Sequence, residues 1–287
     1  MTHFADRLAE AILAKKTPLC VGLDPRFEML PAEISKRHPD HAAAYEEFCV
    51  RVLDVVAPLV GVVKPQSAFF EACGPAGFQA LKRVIERAKQ LKLVVILDAK
   101  RGDIASTAEA YAEAAFTAFG ADALTVNPYL GRDSVEPFLR AARRGGRGVF
   151  VLVRTSNAGA GQFQDLRCDG RPVYRHVADA VEAWGRENLG SRGYGDVGAV
   201  VGATHSAELA ELRTALPNTW LLVPGYGAQG GSAADVAGAV RADGLGAIIN
   251  SSRGVVFPSN PDDAEWEHRI EQAAAEAIAA LRAAKMA

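Results

Sequence analysis

A (β/α)8 barrel is the fold class the sequence predicts, on three observations. Eight short apolar runs rich in β-branched residues recur along the chain. Stretches rich in Ala, Glu and Arg lie between them, with apolar residues at three- and four-residue steps. Strand alternating with helix argues for a parallel sheet. All of this fits into 287 residues with no linker or low-complexity break, so a single barrel domain over residues 1–287 is expected. A doubly wound open sheet is the alternative that the same alternation allows.

The elements follow in order. An opening helix is read over about residues 2–15, with Phe4, Leu8 and Ile12 on one face. The first strand is Leu19–Leu23, and a long connection from Asp24 leads to the second at Val60–Val63. The helix Gly77–Lys89 precedes the third strand, Leu93–Leu97, and the helix Thr107–Phe119 precedes the fourth, Ala123–Val126. The fifth strand is Val149–Val153. A second long connection runs from Ser156 to Val197 and contains Ala158-Gly159-Ala160-Gly161-Gln162. A flexible insertion directly after a strand is a lid candidate, over residues 157–172, or a plain surface excursion. The strand Gly198–Val201, the helix Ala207–Leu216 and the strands Trp220–Val223 and Ala247–Ile249 complete the alternation. The tail over about 262–285 starts acidic and ends basic, as a helix dipole favours.

Composition excludes several classes. The chain is 49% hydrophobic and 23% charged, enough for a sizeable core. A net charge of −2 offers nothing to nucleic acid or to an anionic membrane. No stretch approaches the ~18 uninterrupted apolar residues of a membrane span. The N-terminus lacks the apolar core of a signal peptide. Cys20, Cys49, Cys73 and Cys168 are far apart and read as reduced structural thiols of a cytoplasmic protein. The six histidines show no zinc-binding spacing, so no metal site is expected.

Barrel enzymes carry their chemistry at the C-terminal strand ends. Here those ends are polar: Asp24; Lys64; Asp98, Lys100 and Asp103; Asn127; Arg154 to Asn157; Pro224 to Gly231; and Asn250 to Gly254. The third is the most informative. If the strand persists, Asp98 and Lys100 point the same way, and a buried charge needs a partner. Asp98-Ala-Lys100-Arg-Gly-Asp103 therefore reads either as a proton donor held in a negative field or as an ordinary ion pair at a sheet rim. The last two ends suggest phosphate. Barrel phosphate sites use the loops after strands seven and eight, and a glycine-rich loop lets N–H groups approach the oxygens. Gln229 and Arg253 are placed to help; a tight turn and a solvated helix start are the plainer readings.

Three matches are set aside. Gly225 to Gly230 fits a dinucleotide pattern but lies at the seventh strand, with no acidic residue at the required distance. Arg101-Gly102-Asp103 is read as a chance adhesion tripeptide. Asn250-Ser251-Ser252 is a sequon without a secretory context.

Taken together and in order, these residues resemble the orotidine 5′-phosphate decarboxylase family. Its D-x-K-x-x-D core appears as Asp98, Lys100 and Asp103, running on through Ile104 to Thr107. Asp24, Lys64, the loop Pro224 to Gly231 and Arg253 match its other motifs. Gly102 stands where the commonest form has histidine, and Ala105-Ser106 where it has Pro-Asn. The segments from Lys64, Arg154 and Pro224 look like the longer bacterial subfamily.

The resemblance implies decarboxylation of orotidine 5′-monophosphate to UMP, the final step of UMP synthesis, with no cofactor. It implies that Lys100 stabilises the carbanion at the ring carbon and protonates it, and that Asp98 puts negative charge near the departing carboxylate. Lys64 and Asp103 complete the network. Asp24 and Thr107 bind ribose, Ser156 holds the pyrimidine edge, and Gln229 and Arg253 hold the phosphate. Ile104, Pro224 and Ser252 join them as substrate-binding residues. The implied assembly is a homodimer with Asp103 acting in the partner's site. Two rivals stand beside this reading. One is a metal-dependent sugar-phosphate decarboxylase or aldolase, which carries an acidic residue where this chain has Lys64. The other is a non-catalytic phosphometabolite-binding barrel.

Overall fold

Eight parallel strands close on themselves: β1 (Leu19–Leu23), β2 (Val62–Pro65), β3 (Val94–Arg101), β4 (Ala123–Val126), β5 (Gly148–Arg154), β6 (Val197–Val201), β7 (Leu221–Val223) and β8 (Ala247–Ser251). Each pairs with the next in chain order, and β8 returns to β1 with Leu19 opposite Ile249. This is a (β/α)8 barrel, not an open sheet. The computed structural model describes residues 2–203, 206–227 and 231–286.

The continuous apolar runs are explained by two cores. Side chains alternate along each strand. Val62, Ile96, Ala123, Phe150, Leu222 and Ile248 point into the barrel, and the helix Phe4–Lys15 adds Phe4, Leu8 and Ile12 to the same cluster. Leu19, Val21, Val63, Val95, Leu124, Val149 and Ile249 point outward against the surrounding helices. Phe4 meets Phe150 edge to face, with ring centroids 6.1 Å apart. Gly198 of β6 leaves the space for that ring, because a methyl group there would come within 2.4 Å of it. The lower barrel is thus filled with packed side chains.

Several boundaries differ from expectation. The second strand starts at Val62, because the Val60 N–H still bonds back to the Val56 carbonyl at the end of the helix His41–Val56. The third runs on to Arg101, so Asp98 and Lys100 lie inside it, while Asp103 remains beyond it. The last helix is Trp266–Met286, not 262–285. The Asn260 and Asp263 side chains accept from the Asp262 and Glu265 N–H groups, holding the chain in turns before the helix begins. The second long connection folds into a helical turn, Gly161–Gln164, a small hairpin of Arg167–Cys168 with Arg171–Pro172, and the helix Val173–Arg186. Among the described residues no helix is long and apolar enough to cross a membrane.

Candidate active site

The floor of the upper cavity is the topmost inward layer of the barrel. Two residues beyond Val62, Ile96, Ala123, Phe150 and Ile248 stand Lys64, Asp98, Thr125, Leu152 and Asn250. All five line a cavity of about 590 Å³. Asp24, Ser156, Pro224, Ser252 and Arg253 form its rim, with Arg26, Gln66, Gln164 and Tyr226.

Charge is concentrated on one side of that floor. Asp98, 6% exposed, lies between two ammonium groups. Lys64 Nζ donates to its Oδ2 at 2.7 Å, and Lys100 Nζ donates to its Oδ1 at 2.7 Å. Burial pushes the Asp98 carboxyl up, but Lys64 and then Lys100 outweigh burial and hold it well below the usual carboxylate range. Burial likewise pulls Lys64 down, and the charges of Asp98 and then Asp24 outweigh it, so Lys64 stays protonated. Lys64 is buried, whereas the Lys100 side chain is nearly half exposed to the cavity. The arrangement presents one accessible ammonium beside a carboxylate that stays ionised.

Simple alternation does not account for the meeting of Asp98 and Lys100. Leu97 pairs with Leu124 and Arg101 with Val126, so residues 98, 99 and 100 oppose Thr125 alone. β3 bulges here, and Lys100 takes a left-handed backbone with φ 46°. The bulge, rather than the two-residue repeat, turns Lys100 back toward Asp98.

Other polar groups complete the rim. Asp24 Oδ1 is buried without a hydrogen-bond partner among the described residues. Gln164, from the insertion after β5, accepts from the Thr155 N–H at 3.0 Å and donates to the Thr155 hydroxyl at 2.7 Å. Buried Arg154 pairs with Asp165 at 3.0 Å. These contacts tie the insertion to the cavity mouth. After β7, Gly225 and Gly227 have φ of 97° and 78°, conformations that other residues rarely adopt. Gly227 N–H bonds to the Gly231 carbonyl, and Gln229 lies outside the described residues.

A profile of the orotidine 5′-phosphate decarboxylase / HUMPS family matches residues 17–266, most of the chain. The chain belongs to this family. Among curated relatives, the orotidine 5′-phosphate decarboxylase of Rhodopirellula baltica is 49% identical, covering 95% of this chain and 97% of its own. That of Roseiflexus castenholzii is 47% identical over 89% of each. Among solved structures, the OMP decarboxylase of Leishmania donovani superposes with a TM-score of 0.80, at 39% identity, over 100% of both chains. A family member with such relatives is a carboxy-lyase.

The family's motif residues divide into two groups in this decarboxylase fold. Asp24, Lys64, Asp98, Lys100, Ser156, Pro224, Ser252 and Arg253 meet at the cavity. Asp103, Ile104 and Thr107 are not among its lining residues, although they follow Lys100 directly. Ile104 and Thr107 are exposed, and Asp103 turns its Oδ1 onto the Ile104 N–H. Reading the polar strand ends named Asn250 without a role and missed Thr125 and Gln164. Counting two residues on from Ala123 finds Thr125. Gln164 carries no local signal, since a fold-back of the insertion brings it to the cavity.

Proposed function

We propose that this chain decarboxylates orotidine 5′-monophosphate to UMP with Lys64, Asp98 and Lys100 as its charged centre and no metal or organic cofactor. The observation that carries the reading is the Asp98 carboxylate with an ammonium at 2.7 Å from each oxygen, one buried and one open to the cavity. Loss of carbon dioxide leaves an electron pair on a ring carbon with no neighbouring electron sink. Catalysis then rests on charge arranged before the reaction and on binding energy from the rest of the nucleotide. Lys100 stabilises that pair and delivers its proton to the carbon. Asp98 sets negative charge beside the departing carboxylate, and Lys64 keeps Asp98 ionised while Lys100 is engaged.

The remaining rim binds the nucleotide. Asp24, with its unpartnered oxygen, accepts from ribose hydroxyls. Ser156 holds the pyrimidine edge, Pro224 and Ser252 bound the cavity, and Arg253 with Gln229 grips the phosphate. Lys64 also supports the reading against the metal-dependent relatives, because its ammonium occupies the position where they carry a metal-binding acid.

The working unit in this proposal is a homodimer. Asp103, Ile104 and Thr107 do not line their own cavity, and Ile104 (57%), Tyr129 (83%) and Leu130 (49%) are exposed. Such apolar exposure supports association, and a two-fold axis would bring these residues to the partner's site.

The test follows the absorbance of orotidine 5′-monophosphate with and without EDTA. Turnover that survives chelation is expected. Activity lost to EDTA and restored by magnesium would favour the metal-dependent sugar-phosphate reading. Tight phosphometabolite binding with no turnover would favour the silent barrel.

A further inference from the structure

We propose that Thr125 is the positioning residue of the charged centre, its one hydroxyl setting both the Asp98 carboxylate and the Lys100 backbone. The inference rests on the decarboxylase reading above and names a residue that its charged motif does not contain.

Thr125 lies on β4 at an inward position, 1% exposed. The three residues of the β3 bulge face it alone, so they cannot all find partners in the sheet ladder. The Ala99 and Lys100 N–H groups instead both donate to Thr125 Oγ1, at 3.0 and 2.9 Å. A hydroxyl has two lone pairs and one proton. With both lone pairs engaged, the proton is left to donate, and Asp98 Oδ1 accepts it at 2.9 Å. That oxygen is the one Lys100 Nζ reaches at 2.7 Å.

The geometry leaves this hydroxyl little freedom. Lys100 sits in a left-handed conformation that is unfavourable for a residue with a side chain, and its N–H bond to Thr125 fixes it there. Removing the hydroxyl alone would leave two bulge N–H groups unpaired and take one of two hydrogen bonds from Asp98 Oδ1. The ammonium would then lose its alignment with the reacting carbon. Thr125 itself delivers no proton; it acts through Asp98 and Lys100.

The test compares Thr125→Val, which keeps the shape and removes the hydroxyl, with Thr125→Ser, which keeps the hydroxyl. The expected result is a kcat roughly a hundredfold below the parent for Thr125→Val, the scale of a small misplacement of a catalytic group. UMP has no carboxylate and is held mainly by ribose and phosphate, so its affinity should stay within about threefold in Thr125→Val. Thr125→Ser should recover most of the lost kcat. Parent-like turnover by Thr125→Val, or equal impairment of both variants, overturns the inference. If Thr125→Val does not fold, Thr125→Ala replaces it, and equal activity of the Ala and Ser variants is the overturning result. A second readout does not need turnover. The Asp98 carboxyl, followed by carbon NMR, should titrate at higher pH in Thr125→Val than in Thr125→Ser, because a hydrogen bond to its charged form is gone. A parent inactive on orotidine 5′-monophosphate would fail the decarboxylase reading, and the Asp98 titration would still decide this one.

Discussion

Lys100 and Asp98 differ in what they do for the molecule. The Lys100 side chain is 46% exposed and faces the cavity, so truncating it leaves no buried hole. Lys100→Ala should therefore fold normally and lose more than about a hundredfold in kcat, at least ~2.7 kcal/mol of transition-state stabilisation. Steady-state turnover beside a thermal melt checks this, and a milder loss removes Lys100 from the proton-donor role. Asp98 is buried between two cations, and Asp98→Asn leaves Lys64, 4% exposed, without its closest anion. A cost of about 3 kcal/mol at neutral pH is expected. The sign with pH follows from the two shifts. Asp98 is held below its unfolded value, so its contribution is present above that value and is lost as acid titrates the folded group. Lys64 is held above its unfolded value, so its contribution is present below that value and is lost only as alkali titrates the folded group. Between about pH 5 and 9 neither term changes. Urea unfolding should show a shallower acid limb, below about pH 4, for Asp98→Asn than for the parent. Parallel limbs would contradict the shift.

At the level of elements, the site depends on what fills the barrel beneath it. The Phe4–Lys15 helix seals the lower end, and Phe150 stands on it through Phe4. Gly198 on the neighbouring strand has no side chain, and a methyl there would meet the Phe150 ring at 2.4 Å and the Trp220 carbonyl oxygen at 2.9 Å. The second contact is backbone and cannot rotate away. Gly198→Ala should cost about 1–3 kcal/mol through overpacking, seen as a lower denaturation midpoint, with the charged centre still assembled. An unchanged midpoint would mean that β6 can move outward freely.

In the whole molecule, three motif residues stand outside the cavity of their own chain. The dimer proposal makes them serve the partner, and this can be tested by mixing two inactive variants, Lys100→Ala and Asp103→Ala. After dissociation and reassociation, a mixed dimer holds one site with both residues intact. Random pairing makes about half the dimers mixed, so roughly a quarter of all sites should regain activity. Subunit exchange without recovery would show that Asp103 works within its own chain.

The sequence by itself determined eight buried strands alternating with helices, because runs buried on both faces have no polar face and stand out from the helices between them; the pairing of β8 with β1 decided the barrel over the open sheet. It also determined which strand ends carry charge, since Lys64, Asp98 and Lys100 are adjacent to those runs. It did not determine how these groups meet. The β3 bulge arises because Thr125 alone faces three residues, and that depends on the register between two strands rather than on either one. The approach of Gln164 to Thr155 likewise comes from an insertion folding back on its own base. Register and fold-back are decided by which surfaces pack together. A periodicity within one strand therefore cannot encode the contacts that a neighbouring strand or a returning loop imposes on it.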